Sequence, residues 1–246
     1  MDRKNDVTSP SENRSDTSRA STEIFGVDAC RSGWIAISSR ASSTDGLTMA
    51  LYRNASDLAR ASSGARAVGI DIPIGLSKSG FRSCDVAARA ALGHRASTVF
   101  NAPPRIILGM TDFSAANVLC RSVSGRGISI QSFGLVARIR DIDNAHQSFS
   151  CPVWEVHPEL SFTQMVGTPL PAKKTPEGRQ RRRDAIVTIW PEIDELVDQR
   201  PKGCAPDDVL DAAAVLWSTI RATRDHAMTF GDGEIDEHGI AMVIRA

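Results

Sequence analysis

The chain carries a single tyrosine in 246 residues, and aromatic residues make up only 5% of it. A nucleic-acid surface built on tyrosine stacking is thereby excluded. Charge of one sign is also missing: 29 basic residues face 29 acidic ones, so no overall field draws the protein to a polyanion or an anionic membrane. Any polyanion must be held by a local patch. The five cysteines, Cys30, Cys84, Cys120, Cys151 and Cys204, are odd in number and never approach a CxxC spacing. That argues against a zinc site and a disulfide framework, and for buried free thiols in a reducing compartment. No apolar run of about 18 residues and no signal-peptide core is visible, so neither a membrane partner nor secretion is expected and the location read is cytoplasmic.

What is present is one sizeable core with appendages. Residues 1–22 are nearly devoid of apolar side chains and are expected to form a disordered tail, leaving residues 23–246 as a single domain. Apolar runs predict strands at Ile24–Asp28, Trp34–Ile37, Leu47–Tyr52, Ala67–Gly75 and Val153–His157, with a further terminal strand at Ala241–Ile244. Tight connections make the first three an antiparallel meander. The fourth is apolar throughout, as a central parallel strand is. A short helix follows Asn54, and helical spacing recurs at Arg82–Leu92, Phe113–Val123, Ser129–His146, Glu177–Trp190 and Pro206–Thr223. This order is neither a regular βα alternation nor all-β. It predicts an α/β fold with a mixed five-stranded sheet flanked by helices on both faces.

Acidic residues sit where such a sheet binds ligands. Asp28 ends the first strand and Asp71 lies in the fourth, and strand ends in α/β sheets open onto the ligand crevice. Asp211 is the most telling, because Val209, Leu210 and residues 212–217 are apolar around most of its helix. A carboxylate buried there needs compensation. Asp208, at i−3, shares its face, and a divalent cation is the simplest counter-charge for two carboxylates held together. Oxygen-only ligands favour Mg²⁺ or Mn²⁺ over zinc. The plainer alternative is that such acids merely favour a helix start, as for Asp207, or cap loops.

These residues resemble the domain-of-unknown-function family 429, a family predicted to be ribonuclease H-like nucleases. The resemblance lies in an ordered set of motifs: residues 26–34, Gly-Val-Asp-Ala-Cys-Arg-Ser-Gly-Trp; residues 70–75, Ile-Asp-Ile-Pro-Ile-Gly; and Arg82-Ser83-Cys84-Asp85. It continues in Gly127-Ile128-Ser129-Ile130-Gln131, Glu155-Val156-His157-Pro158-Glu159 and residues 207–212, covering about residues 24–245. Ala29 and Ser32 stand where glycines are expected, and Arg126 where lysine is commoner; no acidic position departs. The layout is similar, less specifically, to RuvC-type junction resolvases. That similarity implies a ribonuclease H-like fold with Asp28, Asp71, Asp208 and Asp211 as metal ligands, and sets Glu155, Pro158, Lys173 and Lys174 beside a comparable strand followed by lysines.

Glu155, His157 and Glu159 alternate, so all three are expected to face the cleft. Glu155 and His157 join the four aspartates as catalytic candidates, His157 either moving a proton or orienting a carboxylate. The basic run Lys173, Lys174, Arg179, Arg181, Arg182 and Arg183 is either a solvated helix face or a phosphate-neutralising surface that Arg82, Arg89, Arg95 and Arg105 extend. Lys173, Lys174, Arg82 and Arg31 are the substrate-binding candidates, with DNA or RNA as the expected partner. The leading expectation is a Mg²⁺- or Mn²⁺-dependent phosphodiesterase. Its rivals are a non-catalytic binding module on the same fold and an actin-like phosphotransferase, which normally needs two such domains.

Overall fold

A computed structural model describes residues 23–40 and 46–246. The tail expected at residues 1–22 lies outside them. The elements run β1 (Glu23–Cys30), β2 (Gly33–Arg40), β3 (Thr48–Tyr52), α1 (Ala55–Ala61), β4 (Ala67–Ile70), α2 (Ser83–Leu92), α3 (Phe113–Ser124), α4 (Ile130–Gly134), α5 (Val136–Ala145), β5 (Val153–Val156), α6 (Pro158–Val166), α7 (Pro176–Val187), α8 (Ile193–Asp198), α9 (Pro206–Ala222), β6 (Thr229–Phe230) and β7 (Ile244–Arg245). Three short 3₁₀ turns intervene, among them Gly93–Thr98.

The strands form one mixed sheet in the order β3-β2-β1-β4-β5-β7-β6. β1, β2 and β3 make the expected antiparallel meander, and β4 and β5 continue parallel to β1. The count of five is corrected to seven. The carboxyl-terminal chain adds β7 parallel to β5 and folds β6 back antiparallel to it, each only two residues long. Strands that short leave almost no period-two signal. Among the described residues, no helix is long and apolar enough to cross a membrane.

The two faces of β1 carry different partners, as alternation requires. Phe25 and Val27 join Val68, Ile70 and Trp34 under α1, α3 and α5. Ile24 and Cys30 face the other way, with Ile35 and Ile37, under α6 to α9. A third, smaller cluster ties α2 and α6 to β6 and β7 through Leu92, Leu160, Phe230 and Ile244.

α9 starts with Pro206 at its first turn, where no amide hydrogen is needed, and buries ten residues including Ala212, Ala213, Ala214 and Leu216. Its approach to the sheet is set by two glycines paired across adjacent parallel strands, Gly26 and Gly69. A Cβ at Gly26 would lie 2.1 Å from the Leu216 amide nitrogen and 2.4 Å from the Ala212 carbonyl oxygen. One at Gly69 would lie 1.9 Å from Thr219 Oγ1. The helix backbone therefore rests directly on the sheet, and its first turns reach the ends of β1 and β4. Gly26→Ala is expected to cost about 3 kcal/mol, since backbone cannot step aside as a side chain can, readable as a lowered midpoint in urea unfolding. An unchanged midpoint would mean that α9 does not rest on β1 in this way.

Two cysteines distant in sequence meet. Cys30 Sγ and Cys204 Sγ are 3.2 Å apart, and all five cysteines are free. Four of them are buried, as expected of structural thiols.

Candidate active site

Glycine and aspartate recur two residues apart at Gly26-Val27-Asp28 and Gly69-Ile70-Asp71. In a strand that spacing puts both on one face, so the face flattened by glycine for α9 is the face on which the aspartates emerge. Val27 pairs with Ile70 in register, and the Asp71 amide donates to the Val27 carbonyl at 2.9 Å. Asp71 thus follows directly on β4 rather than lying within it. Asp28 and Asp71 are neighbours at the same end of the sheet, as expected.

A cleft of about 610 Å³ opens there, lined by Asp28, Asp71, Asp208 and Asp211 together with Glu155, His157, Lys173 and Lys174. The four acids are brought to one place by β1, the end of β4 and the first turns of α9. Asp28 and Asp211 are buried, Asp71 and Asp208 half-buried. Burial, then repulsion from Asp71, Asp211 and Asp208, pushes the Asp28 carboxyl well above the usual carboxylate range. Burial raises Asp71 to about 7 against the pull of Lys173, and Asp211 to about 6 against the same ammonium. Burial also raises Asp208, which the Ala205 amide partly offsets.

Two side-chain arrangements keep these acids from closing on one another. Lys173 Nζ lies 3.1 Å from Asp211 Oδ2, and Asp211 above all holds that ammonium's pKa above its ordinary value. Asp208 Oδ2 accepts from the Ala205 amide at 2.8 Å, closing the start of α9. Among the described residues, no three His, Cys, Asp or Glu side chains form a ready metal cluster. The donor chemistry nevertheless fits a hard divalent cation: every aspartate offers oxygen, and burial, with repulsion between the acids second to it, raises their pKa values against the partial balance of Lys173. A cation held by Asp28, Asp71 and Asp211 would compete with Lys173 for Asp211, whose Oδ2 the ammonium takes.

The raised values have a thermodynamic sign. Asp71 binds its proton near pH 7 when folded but near the ordinary value of about 4 when unfolded, so between these pH values the native state holds more protons. Its charge therefore penalises the fold most above pH 7, and the penalty fades as pH falls toward 4. His146 and His157, whose pKa values burial lowers, act in the opposite direction. A difference measurement separates them. In EDTA, Asp71→Asn is expected to raise Tm over wild type at pH 8 and to raise it by less than half as much at pH 5; equal effects at both would contradict the raised carboxyl pKa.

The remaining candidates fall into distinct roles. Arg82 is not a cleft residue. It is buried, with Nη1 2.7 Å from Glu155 Oε2 and Nη2 2.5 Å from Asp85 Oδ1 and 2.8 Å from Glu155 Oε1. It also reaches the carbonyls of Ile74 and Gly75, while Glu155 accepts from the Ile74 amide at 2.7 Å. The assignment of Arg82 to substrate is corrected: its donors are taken up in bracing the turn that follows Asp71. Glu155 shares that duty, so its carboxylate lines the cleft with its charge already matched. Arg31 is exposed on the β1–β2 turn, outside the lining residues.

His157 faces the cleft but does not orient a carboxylate; its Nε2 is 3.3 Å from the Thr98 carbonyl. Glu159, in the first turn of α6, also lines the cleft and is gripped by Arg182 at 2.6 and 2.7 Å. The basic run disperses. Arg182 is buried, Arg183 pairs with Asp194, and Arg179 bonds the Lys174 carbonyl, so of this run Lys173 and Lys174 line the cleft, joined there by Arg95. The part that sequence reasoning missed is Lys173 as an internal counter-charge. The two Gly-x-Asp repeats were a legible signal of how α9 approaches.

The family model described as "Protein of unknown function (DUF429)" matches residues 26–235. The chain belongs to that family. The matched stretch holds every aspartate, glycine and lysine that builds the cleft. No curated protein and no solved structure matched the chain.

Proposed function

We propose that this DUF429 member is a divalent-metal-dependent phosphodiesterase of ribonuclease H-like fold that acts on nucleic acid. The observation that carries the reading is the convergence of Asp28, Asp71, Asp208 and Asp211 in one cleft with carboxyl pKa values raised by burial and mutual crowding. The fold reading is supported by the meander of β1, β2 and β3 followed by parallel β4 and β5, the arrangement expected of it.

Asp28, Asp71 and Asp211 would hold Mg²⁺ or Mn²⁺, with Asp208 turning from its cap. The metal's chemistry is to lower the pKa of water and to stabilise charge on a leaving oxygen. The chain's own contribution is to fix the acids on rigid strand ends and a buried helix, so that they need little reorganisation. Arg82 and Glu155 hold the turn after Asp71 in place. Lys173 balances Asp211 until a cation arrives, and with Lys174 it is then free to meet phosphate. Purified protein should cleave DNA or RNA oligonucleotides in Mn²⁺ and not in EDTA; failure across single- and double-stranded forms of both would overturn the reading.

A second reading has one observation in its favour. The Lys173–Asp211 pair supplies a cation from within the chain, which suits a binding module that keeps the fold without turnover. It predicts nucleic-acid binding of equal strength in EDTA and Mn²⁺.

A further inference from the structure

An anionic substrate entering this cleft meets at least four carboxylates, so a cation not already committed to one of them is needed. Most of the basic side chains nearby are committed. Arg82 serves Glu155 and Asp85, Arg182 serves Glu159, and Lys173 serves Asp211. Arg105 pairs with Asp143 and Asp236, and Arg89 spends its guanidinium on the carbonyls of Ala96 and Val99.

Arg95 differs from all of these. It lines the same cleft as the four aspartates and forms no ion pair among the described residues. Its Nε is buried without a hydrogen-bond partner, as are those of Arg105 and Arg182, but the terminal nitrogens of those two are held by carboxylates or carbonyls, and none of Arg95's is held among the described residues. A half-buried guanidinium on the wall of the cleft, with its terminal donors not taken up, is open to an acceptor that arrives from outside. The turn that carries it is clamped. Thr98 Oγ1 donates to the Arg95 carbonyl at 2.8 Å, and Arg89 holds the carbonyls of Ala96 and Val99. The Thr98 carbonyl in turn engages His157 Nε2.

That last contact fixes the chemistry of the histidine. A carbonyl only accepts, so Nε2 carries the hydrogen, and in the neutral ring Nδ1 is left as an acceptor. Nδ1 is buried and has no partner. It suits a hydroxyl or water hydrogen and repels a phosphate oxygen, so the histidine is not the group that recognises an anion.

We propose that Arg95 is an anion-binding residue of the cleft, working beside the exposed Lys174, and takes a phosphate oxygen of the substrate through its planar fork of donors. The identity of that anion as a nucleic-acid phosphate rests on the phosphodiesterase reading above; the binding site itself does not.

Inorganic phosphate is the probe, titrated without divalent metal by calorimetry against wild type, Arg95→Met, Arg95→Lys and the exposed-residue control Arg53→Met. Wild type and Arg53→Met should bind phosphate alike, Arg95→Met at least about tenfold more weakly, and Arg95→Lys in between. With a short oligonucleotide, Arg95→Met should also flatten the plot of log affinity against log salt by about one phosphate contact. Circular dichroism shows whether each variant is folded, and Arg95→Lys carries the test should Arg95→Met not be. Equal phosphate binding by wild type and a folded Arg95 variant would overturn the proposal, as would no phosphate binding by wild type. Phosphate binding that depends on Arg95 in a protein that cleaves nothing would leave the anion site standing and the phosphodiesterase reading failed. Cleavage with an unaltered KM in Arg95→Met would do the reverse.

Discussion

Asp28→Asn is expected to reduce Mn²⁺-dependent cleavage at least about a hundredfold while raising the Tm of the metal-free protein. The two effects have one cause. Asp28 is buried beside Asp71, Asp211 and Asp208, and its charge is the least compensated in the cleft. Asparagine removes that charge at constant shape and keeps an oxygen able to accept from the Ala29 amide, which Asp28 Oδ1 does at 2.7 Å. The fold loses a repulsion and keeps a hydrogen bond. A cation loses an anionic ligand, and even partners one step removed from a metal typically cost 10–100-fold, so a direct ligand stands at or beyond the upper end. Steady-state cleavage in Mn²⁺ and thermal melts in EDTA read the two halves separately. A drop in activity together with a lower Tm would point to Asp28 as a structural residue rather than a ligand.

The second large effect concerns the braces. Arg82→Met is expected to destabilise the protein by about 3–5 kcal/mol, because Glu155 and Asp85 are left buried and unpaired. For a chain of this size that lowers Tm by roughly 10 °C. The loss comes from stranding charge rather than from losing an intrinsically strong interaction. Removing all three charges, as Arg82→Met with Glu155→Met and Asp85→Leu, should therefore recover much of the stability. Activity should not return with it, because the turn after Asp71 no longer has the Ile74 and Gly75 carbonyls and the Ile74 amide held. A triple variant less stable than Arg82→Met would contradict this account of the braces.

The sequence carried the site's acids and hid its cations. Asp211 interrupted an apolar helix, so its placement follows from periodicity and burial, while Asp28 at the end of one apolar run and Asp71 within another drew most of their weight from the family resemblance. The partners of an arginine are set by tertiary contact and leave no local trace. Glu155 is 73 residues from Arg82, and Arg182 sits in a run of four charges that reads as a solvated face. Pro158 was legible as the end of β5, yet it also begins α6, where a proline's missing hydrogen costs nothing. The terminal strand expected at Ala241–Ile244 appears as β7, shorter and shifted to Ile244–Arg245, whereas β6 owes its existence to pairing with β7 and two residues left no signal of it. The glycine pair that seats α9 was readable as a repeat, but its meaning required knowing that β1 and β4 are neighbours.

The most direct measurement is a crystal soaked in Mn²⁺, with anomalous scattering recorded at the manganese edge. The account predicts an anomalous peak bound by Asp28, Asp71 and Asp211, with the Lys173 ammonium moved off Asp211. A cleft without a peak, with Lys173 still 3.1 Å from Asp211 as it stands here, would contradict it.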